Sequence, residues 1–525
     1  MAPRFTHLSQ DLAQTAKSVE VVTRYGPVTG GFASNGAAVF LELPFALPPQ
    51  RFADPVPLPG DYRYSAEPFV HESAYAAQPM NDGQAAGVAI EDKLGLGQAT
   101  ENPLFLNIVC PSDFQSRSKL PVKVYIHGGF LQFGSPHGVS SQSQYVACER
   151  GEIWVNIGYR LSAFGFLAND DPELSGNYGF KDQWLALEWV HANISKFSGD
   201  PSSVQIVGLS AGAHSCHQLL HHASRLPEGQ IAPFQSAVLM SNAILLDPKT
   251  PAELHSQYTA LIRSVGIELT DPSALDRLSN PDDIPATTIT TEIEEERLGP
   301  GLGTFRGCSD GAWMRPDAME WQKNGGFSSG LLAHGVKFVV IGDLVDEWYL
   351  YSIAHPIESQ ADVTDNLLRY YPADIVRRLE EHYPTLHSTA DAEACARRFG
   401  EILSDGQVHL PVRLLARDLR QHGFPFLRYH IKWTPPAVRP KGLVTHATDR
   451  PMWSLRHDMM TPPELDVARS WLEEVSKAVD AIASEAAASE PALDQVLTLE
   501  SDQNIRWTSD DKWERMMTIA SSLEM

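Results

Sequence analysis

Short apolar runs rich in β-branched residues recur along the chain, at 104–109, 122–126, 153–157, 204–207, 236–240, 336–341 and 426–431. Runs of this length, bounded by turn residues, predict strands buried on both faces. Between them the apolar period changes. Ala186, Val190, Ile194 and Phe197 fall at i, i+4, i+8 and i+11, one face of a helix over 183–197. A second helix-compatible run follows residue 212. Strands of this kind alternating with amphipathic helices predict an α/β fold with a mostly parallel sheet. Residues 21–31, with Gly26-Pro27 at the turn, predict an opening hairpin, and 37–42 a further strand.

The remaining segments are less regular. Residues 75–102 are polar and rich in Gly, Ala and Gln, and predict a surface excursion. Residues 244–330 hold an acidic run, Glu294-Glu295-Glu296, and a Gly/Pro stretch at 299–303 without the spacing of a nucleotide fingerprint. Residues 357–420 predict helices. A C-terminal helix over 463–487 ends in low-complexity Ala/Ser/Glu, a tether in character. The whole predicts one domain over 1–525. It comprises a hairpin (20–45), a core (104–245, 331–350 and 424–460), insertions (246–330 and 351–420) and a C-terminal helix and tail (461–525).

Composition narrows the function. The 525 residues carry 65 acidic and 41 basic side chains, a net charge of -24, which argues against a nucleic-acid partner. The longest apolar runs are far too short for stable membrane insertion. Five widely spaced cysteines make neither a disulfide framework nor a metal-binding pair. With no apolar leader at the N-terminus, a cytoplasmic compartment is expected.

The candidate chemistry centres on Gly208-Leu209-Ser210-Ala211-Gly212, between the strand at 204–207 and a helix. Gly-x-Ser-x-Gly in that setting predicts a sharp turn that presents the serine hydroxyl to a base. Serine hydrolysis also needs a carboxylate, a histidine and oxyanion donors, with the acid and then the histidine following the serine. The strand at 336–341 is followed by Asp343, Asp346 and Glu347, all candidates by placement. Among 19 histidines, His446 is best placed, after the last core strand; His430 lies inside that strand and His457 beyond the loop. His127-Gly128-Gly129-Phe130 predicts the oxyanion loop, with the Ala211 N–H as partner donor. His214, Cys216, His217 and His221 have partial zinc-helix spacing. Gln218 stands where a metalloprotease carries Glu, so they predict packing and no metal site.

Beyond these features, the chain resembles the type-B carboxylesterase family, the cholinesterase-like α/β-hydrolases. Phe45-Ala46-Leu47-Pro48-Pro49 and Arg51-Phe52 resemble its PYAxPP and RF segments. Residues 156–167 resemble its NYRLxxxGFL run, and 176–190 its GNxGxxDQxxALxWV block, with Ser198-Gly199-Asp200-Pro201 leading into the elbow. The resemblance implies an α/β-hydrolase fold with lid insertions and a Ser210, Glu347, His446 triad, Glu347 matching the Glu of the family's DEG. It implies hydrolysis of carboxylic esters, with a small-molecule ester as partner and no metal or organic cofactor. Oligomeric state is left open.

Several departures from the family bear on specificity. Phe130 stands at the third glycine of HGGG, where a positive φ would strain it. The oxyanion donors are then Gly129 and Ala211 with Gly128 or Phe130. Leu209 replaces the glutamate of GESAG and, with Phe130, predicts a pocket for a neutral, apolar ester. Asn242 and Trp348 replace glycines of the QSGS turn and of DEG, and are expected to reshape the pocket walls. Ala77 and Pro103 stand where the family's N-terminal disulfide is expected. A crowded apolar site also suits acyl transfer, lactone formation or dehydration. A non-catalytic binding protein is the remaining class.

Overall fold

The structure is a computed structural model that describes residues 5–80, 89–387, 390–483 and 491–525. Its strands are β1 (Ser18–Thr23), β2 (Gly26–Phe32), β3 (Ala38–Pro44), β4 (Ala74–Ala76), β5 (Gln98–Thr100), β6 (Phe105–Cys110) and β7 (Leu120–Ile126). They continue with β8 (Ile153–Ile157), β9 (Gly199–Leu209), β10 (Ser236–Met240), β11 (Phe338–Leu344), β12 (Phe426–Ile431), β13 (Gln495–Leu499) and β14 (Ile505–Ser509). Among the described residues, β4 and β5 pair with each other. The others form a 12-stranded sheet in the order β1-β2-β3-β6-β8-β7-β9-β10-β11-β12-β13-β14.

From β8 to β13 in that order every pairing is parallel. The edges are antiparallel, and β6 runs against both β3 and β8. The apolar run at 104–109 therefore belongs to the antiparallel part of the sheet. All six β6 residues are buried, because both of its faces are covered, and a run apolar on both faces carries no sign of strand direction.

Alternate side chains feed two cores. Val122, Val124 and Ile126 of β7 and Val204 and Ile206 of β9 enter the larger one. Tyr125, Val207 and Leu209 enter the other, which is built around Trp471, Trp453 and Tyr429. Ala186, Val190, Ile194 and Phe197 are fully buried in the larger core. Their helix begins at Tyr178, after Gly176 and Asn177 turn with φ of 64° and 59°, and its last turn, Ile194–Phe197, is a 3-10 helix.

Three expectations need correcting. First, Asp343 lies within β11, which runs to Leu344 because it stays paired with β12, Asp343 opposite His430. Second, the segment read as a tail carries β13, β14 and a helix, Trp513–Ser522, after the helix Pro462–Ala483. Strands of five residues at a sheet edge are too short to show a period. The low-complexity stretch falls largely at 484–490, outside the described residues. Third, the 75–102 segment is more than a surface excursion. Gln78 is buried and clasps Gly134 from both sides, its Nε2 donating to the carbonyl (3.0 Å) and its Oε1 accepting from the N–H (2.7 Å). Residues 81–88 of that segment lie outside the described residues. Among the described residues, no helix is long and apolar enough to cross a membrane.

Candidate active site

The strand β9 ends at Leu209 and the helix Ala211–Ala223 begins two residues later. Ser210 makes the turn at φ 59°, ψ -125°, a conformation rare for a residue with a Cβ. Its N–H is anchored on the Met240 carbonyl at 2.8 Å. The flanking glycines are required by space. A Cβ on Gly208 would lie 2.1 Å from the Gly212 carbonyl oxygen, and one on Gly212 2.0 Å from that of Ile126. The strained turn therefore rests on contacts that no larger residue permits.

The loop after β7 packs against this turn. A Cβ on Gly128 would lie 2.9 Å from the Ser210 Cβ. Gly129 takes a φ of 112°, and a Cβ there would meet the Phe133 carbonyl oxygen at 1.9 Å. Phe130 and Leu131 follow at φ 56° and 66°, so the left-handed backbone expected at Phe130 is present. Such a conformation costs about 1–3 kcal/mol for a non-glycine residue. Among the described residues, the N–H groups of Gly129, Phe130 and Ala211 have no acceptor. His127 is buried, which pushes its pKa down to about 4, and it stacks on Tyr159 at 4.5 Å. The Tyr159 hydroxyl donates to the His127 carbonyl at 2.9 Å and fixes the start of the loop.

Of the three candidate acids, Glu347 meets His446. The two side chains are fully or nearly fully buried, and Nδ1 of His446 lies 2.6 Å from Oε2 of Glu347. The other Glu347 oxygen accepts from the Leu344 N–H at 3.0 Å. Nε2 of His446 is buried and has no partner among the described residues; no hydrogen bond joins it to Ser210. Asp346 acts on the same loop, its Oδ2 accepting from the Val444 N–H at 3.2 Å and its own N–H donating to the Val444 carbonyl at 2.9 Å. Asp343 and His430 bind each other elsewhere, at 2.7 Å. His457 pairs with Glu149 on the exposed side and stacks on Tyr145.

A small cavity of about 40 Å³ opens on the elbow. It is lined by Phe130, Leu131, Ser210, Ala211, His214, Asn242, Arg306, Tyr351 and Gln407. The Tyr351 ring stands edge-on to both Phe130 (6.1 Å) and His446 (5.5 Å), joining the cavity to the histidine. Two expected wall residues are elsewhere. Leu209 shares its sheet face with Val207 and packs in the second core. Trp348 opens the helix Trp348–Ser352 and lies under the Arg397 guanidinium, 3.4 Å from the ring centre. Asn242 is in the wall, with a buried, unpartnered Oδ1.

Of the histidines after the elbow, His214 lines the cavity, while His217 and His221 are buried in the core. His217 accepts from the Ile244 N–H at Nδ1 (3.0 Å) and lies 2.9 Å from the Gln322 Oε1 at Nε2. His221 stacks between His217 and Phe327. Burial pushes the His217 pKa down to about 4 and that of His214 to about 3. Among the described residues, no group of three or more His, Cys, Asp or Glu side chains could hold a metal ion. Arg306, Tyr351 and Gln407 carry no sequence signal of a site, since each sits in an irregular or helical segment far along the chain from Ser210.

A mostly parallel sheet with a serine elbow at the end of β9 is the α/β-hydrolase fold. A structure described as PNB esterase superposes with a TM-score of 0.74 over 95% of this chain and 99% of its own, at 24% identity, a likeness of fold. The model of the carboxylesterase family matches residues 17–302, more than half of the chain. A carboxylic ester hydrolase of Gibberella moniliformis is 31% identical over 79% of this chain and 78% of its own length. An uncharacterized esterase/lipase of Schizosaccharomyces pombe is 29% identical over 90% of each. The chain belongs to the carboxylesterase family.

Proposed function

We propose that the chain hydrolyses small-molecule carboxylic esters with Ser210 as nucleophile, His446 as base and Glu347 as the acid that orients it. Ser210 Oγ attacks the ester carbonyl while His446 Nε2 takes its proton. The tetrahedral oxyanion is held by the N–H groups of Gly129, Phe130 and Ala211, the last at a helix N-terminus where negative charge is favoured. Gly128, which packs against Ser210 too closely for a Cβ, is the alternative donor to Phe130. As the intermediate collapses, the alcohol leaves with the His446 proton and the acyl group stays on Ser210. A water, deprotonated by His446, attacks the acyl-enzyme and releases the acid. The observation that carries this reading is the buried 2.6 Å contact between Glu347 and His446 Nδ1, which leaves Nε2 without a partner among the described residues, on a ring that meets Tyr351 of the cavity wall. The Ser210–His446 hydrogen bond closes when substrate fills the site.

Replacing Ser210 tests this reading. Ser210→Ala is expected to lower kcat on simple esters by about 10⁴-fold or more and to abolish labelling by a fluorophosphonate. Labelling that survives the change defeats the assignment. Acyl transfer, lactone formation or dehydration at the same site is the second reading, favoured by the narrow cavity walled by Phe130, Leu131 and Tyr351. Free acid as sole product in the presence of an added alcohol rules acyl transfer out. Leu209 packs in the second core, away from the cavity, and lends no support to a neutral, apolar substrate. A cytoplasmic location is part of the proposal, supported by five free cysteines.

A further inference from the structure

One cation in the cavity has no counterpart in the mechanism. Arg306 lines the same small cavity as Ser210 and Ala211, yet it makes no hydrogen bond or ion pair with any described residue. Its guanidinium lies over the Tyr370 ring, 4.5 Å from the centre. Two histidines, His214 and His355, and three tyrosines, Tyr351, Tyr370 and Tyr371, lie within its electrostatic reach. Burial, with Arg306 adding to it, pushes both His214 and His355 down to about 3, so they stay neutral. A half-buried guanidinium without an anion is unfavourable, and an anionic ligand would relieve it.

The backbone holds Arg306 in place with unusual care. Gln132, two residues after Phe130, clasps Phe305 from both sides, its Oε1 accepting from the Phe305 N–H at 3.0 Å and its Nε2 donating to the carbonyl. Asn177 clasps Cys308 in the same way, at 2.9 and 2.8 Å. Between them, a Cβ on Gly307 would lie 2.4 Å from the Phe180 ring. Arg306 is thus fixed to the oxyanion loop on one side and to the core on the other.

We propose that Arg306 is a specificity-determining residue that binds a carboxylate on the substrate, so that the preferred substrates are esters with a short, anionic acyl or alcohol part. The proposal rests on the esterase reading above and replaces the neutral ester expected from Leu209 and Phe130. A short acyl or alcohol part fits the space of about 40 Å³ beside Ser210.

Two isosteric ester pairs test the proposal, with acid release as the readout. Monoethyl succinate is set against ethyl 4-methylpentanoate for charge on the acyl side, and acetoxyacetate against isobutyl acetate for charge on the alcohol side. The unaltered protein is expected to favour the anionic ester of at least one pair in kcat/KM. Arg306→Met is expected to lower kcat/KM for that ester by about 10- to 100-fold, the worth of a charge-assisted hydrogen bond. The neutral partner should change by less than about threefold, and Arg306→Lys should fall between. Preference for the neutral ester in both pairs, or an equal loss on both members in Arg306→Met, overturns the proposal while leaving the esterase reading intact. Because the unaltered protein must show the preference, a variant that fails to fold does not shield it. If no ester is turned over and labelling does not depend on Ser210, the esterase reading falls first, and the role of Arg306 with it.

Discussion

Two buried carboxylates four residues apart, Asp343 and Glu347, each hold a histidine, and they do different work. Asp343 is saturated. Its oxygens meet His430 (2.7 Å), His409 (2.9 Å) and Arg413 (2.7 Å), and Arg413 continues to Asp510 at 2.7 Å. Burial alone would push the Asp343 carboxyl up, but Arg413 and then His430 hold it well below the usual range. The cluster ties β11 and β12 to the C-terminal segment beyond β14. Glu347 serves one histidine and one backbone N–H, and that histidine keeps a buried nitrogen free beside the cavity. Free valence alone does not mark a catalytic pair, since Nε2 of His430 is also unpartnered. What separates them is position. His430 sits within the sheet opposite Asp343, whereas His446 is on a loop whose ring meets Tyr351 of the cavity wall.

The contrast breaks if the two acids prove interchangeable. Glu347→Gln is expected to lower kcat by about 10³- to 10⁴-fold through loss of the imidazole's orientation and of support for its charged form, with little change in Tm. Asp343→Asn should do the opposite: a loss of about 3 kcal/mol in stability, from cations left without their anion, with kcat within a few-fold. Equal loss of kcat in the two variants, at matched folding, would erase the distinction.

Acid sharpens the contrast further. Asp510 is held down to about 2, since Arg413 and Arg428 outweigh the burial that opposes them. A carboxylate with a lowered folded pKa stabilises above its unfolded value, near 3.8, and that stability is lost as pH falls toward 2. For Asp510 alone the amount is about 2 kcal/mol. Chemical denaturation at pH 6, 4 and 3 should show the decline, and Asp510→Asn should flatten it; an unchanged slope counts against the cluster as a structural tie. The smallest effect expected is from Asp346→Ala. It removes one hydrogen bond on the His446 loop, worth about 1 kcal/mol, and should cost kcat no more than about tenfold. A larger loss than in Glu347→Gln would give Asp346 the acid's role.

The core strands and the elbow were legible in the sequence to within a few residues. The boundaries of β8, β10 and β12 coincide with the apolar runs, because a strand covered on both faces has to be apolar throughout. The choice among Asp343, Asp346 and Glu347 was not legible from placement. It came from family resemblance, and it depends on where β11 stops pairing with β12. Leu209 was misplaced because its neighbours in sequence say nothing of which sheet face opens on a cavity. Arg306 left no trace at all, since its partners lie in segments remote along the chain.

The sequence by itself determined the turn at Ser210, because a strand-type run and a helix-type run meet there with glycine on either side of the serine. It also determined the alternation of strands and helices, through the spacing of apolar residues a few positions apart. Only the tertiary structure decided which carboxylate meets His446, 99 residues away, and which cation enters the cavity on a segment clasped by Gln132, 173 residues away. Contacts over such separations depend on how the sheet and its insertions pack, and no local pattern encodes them.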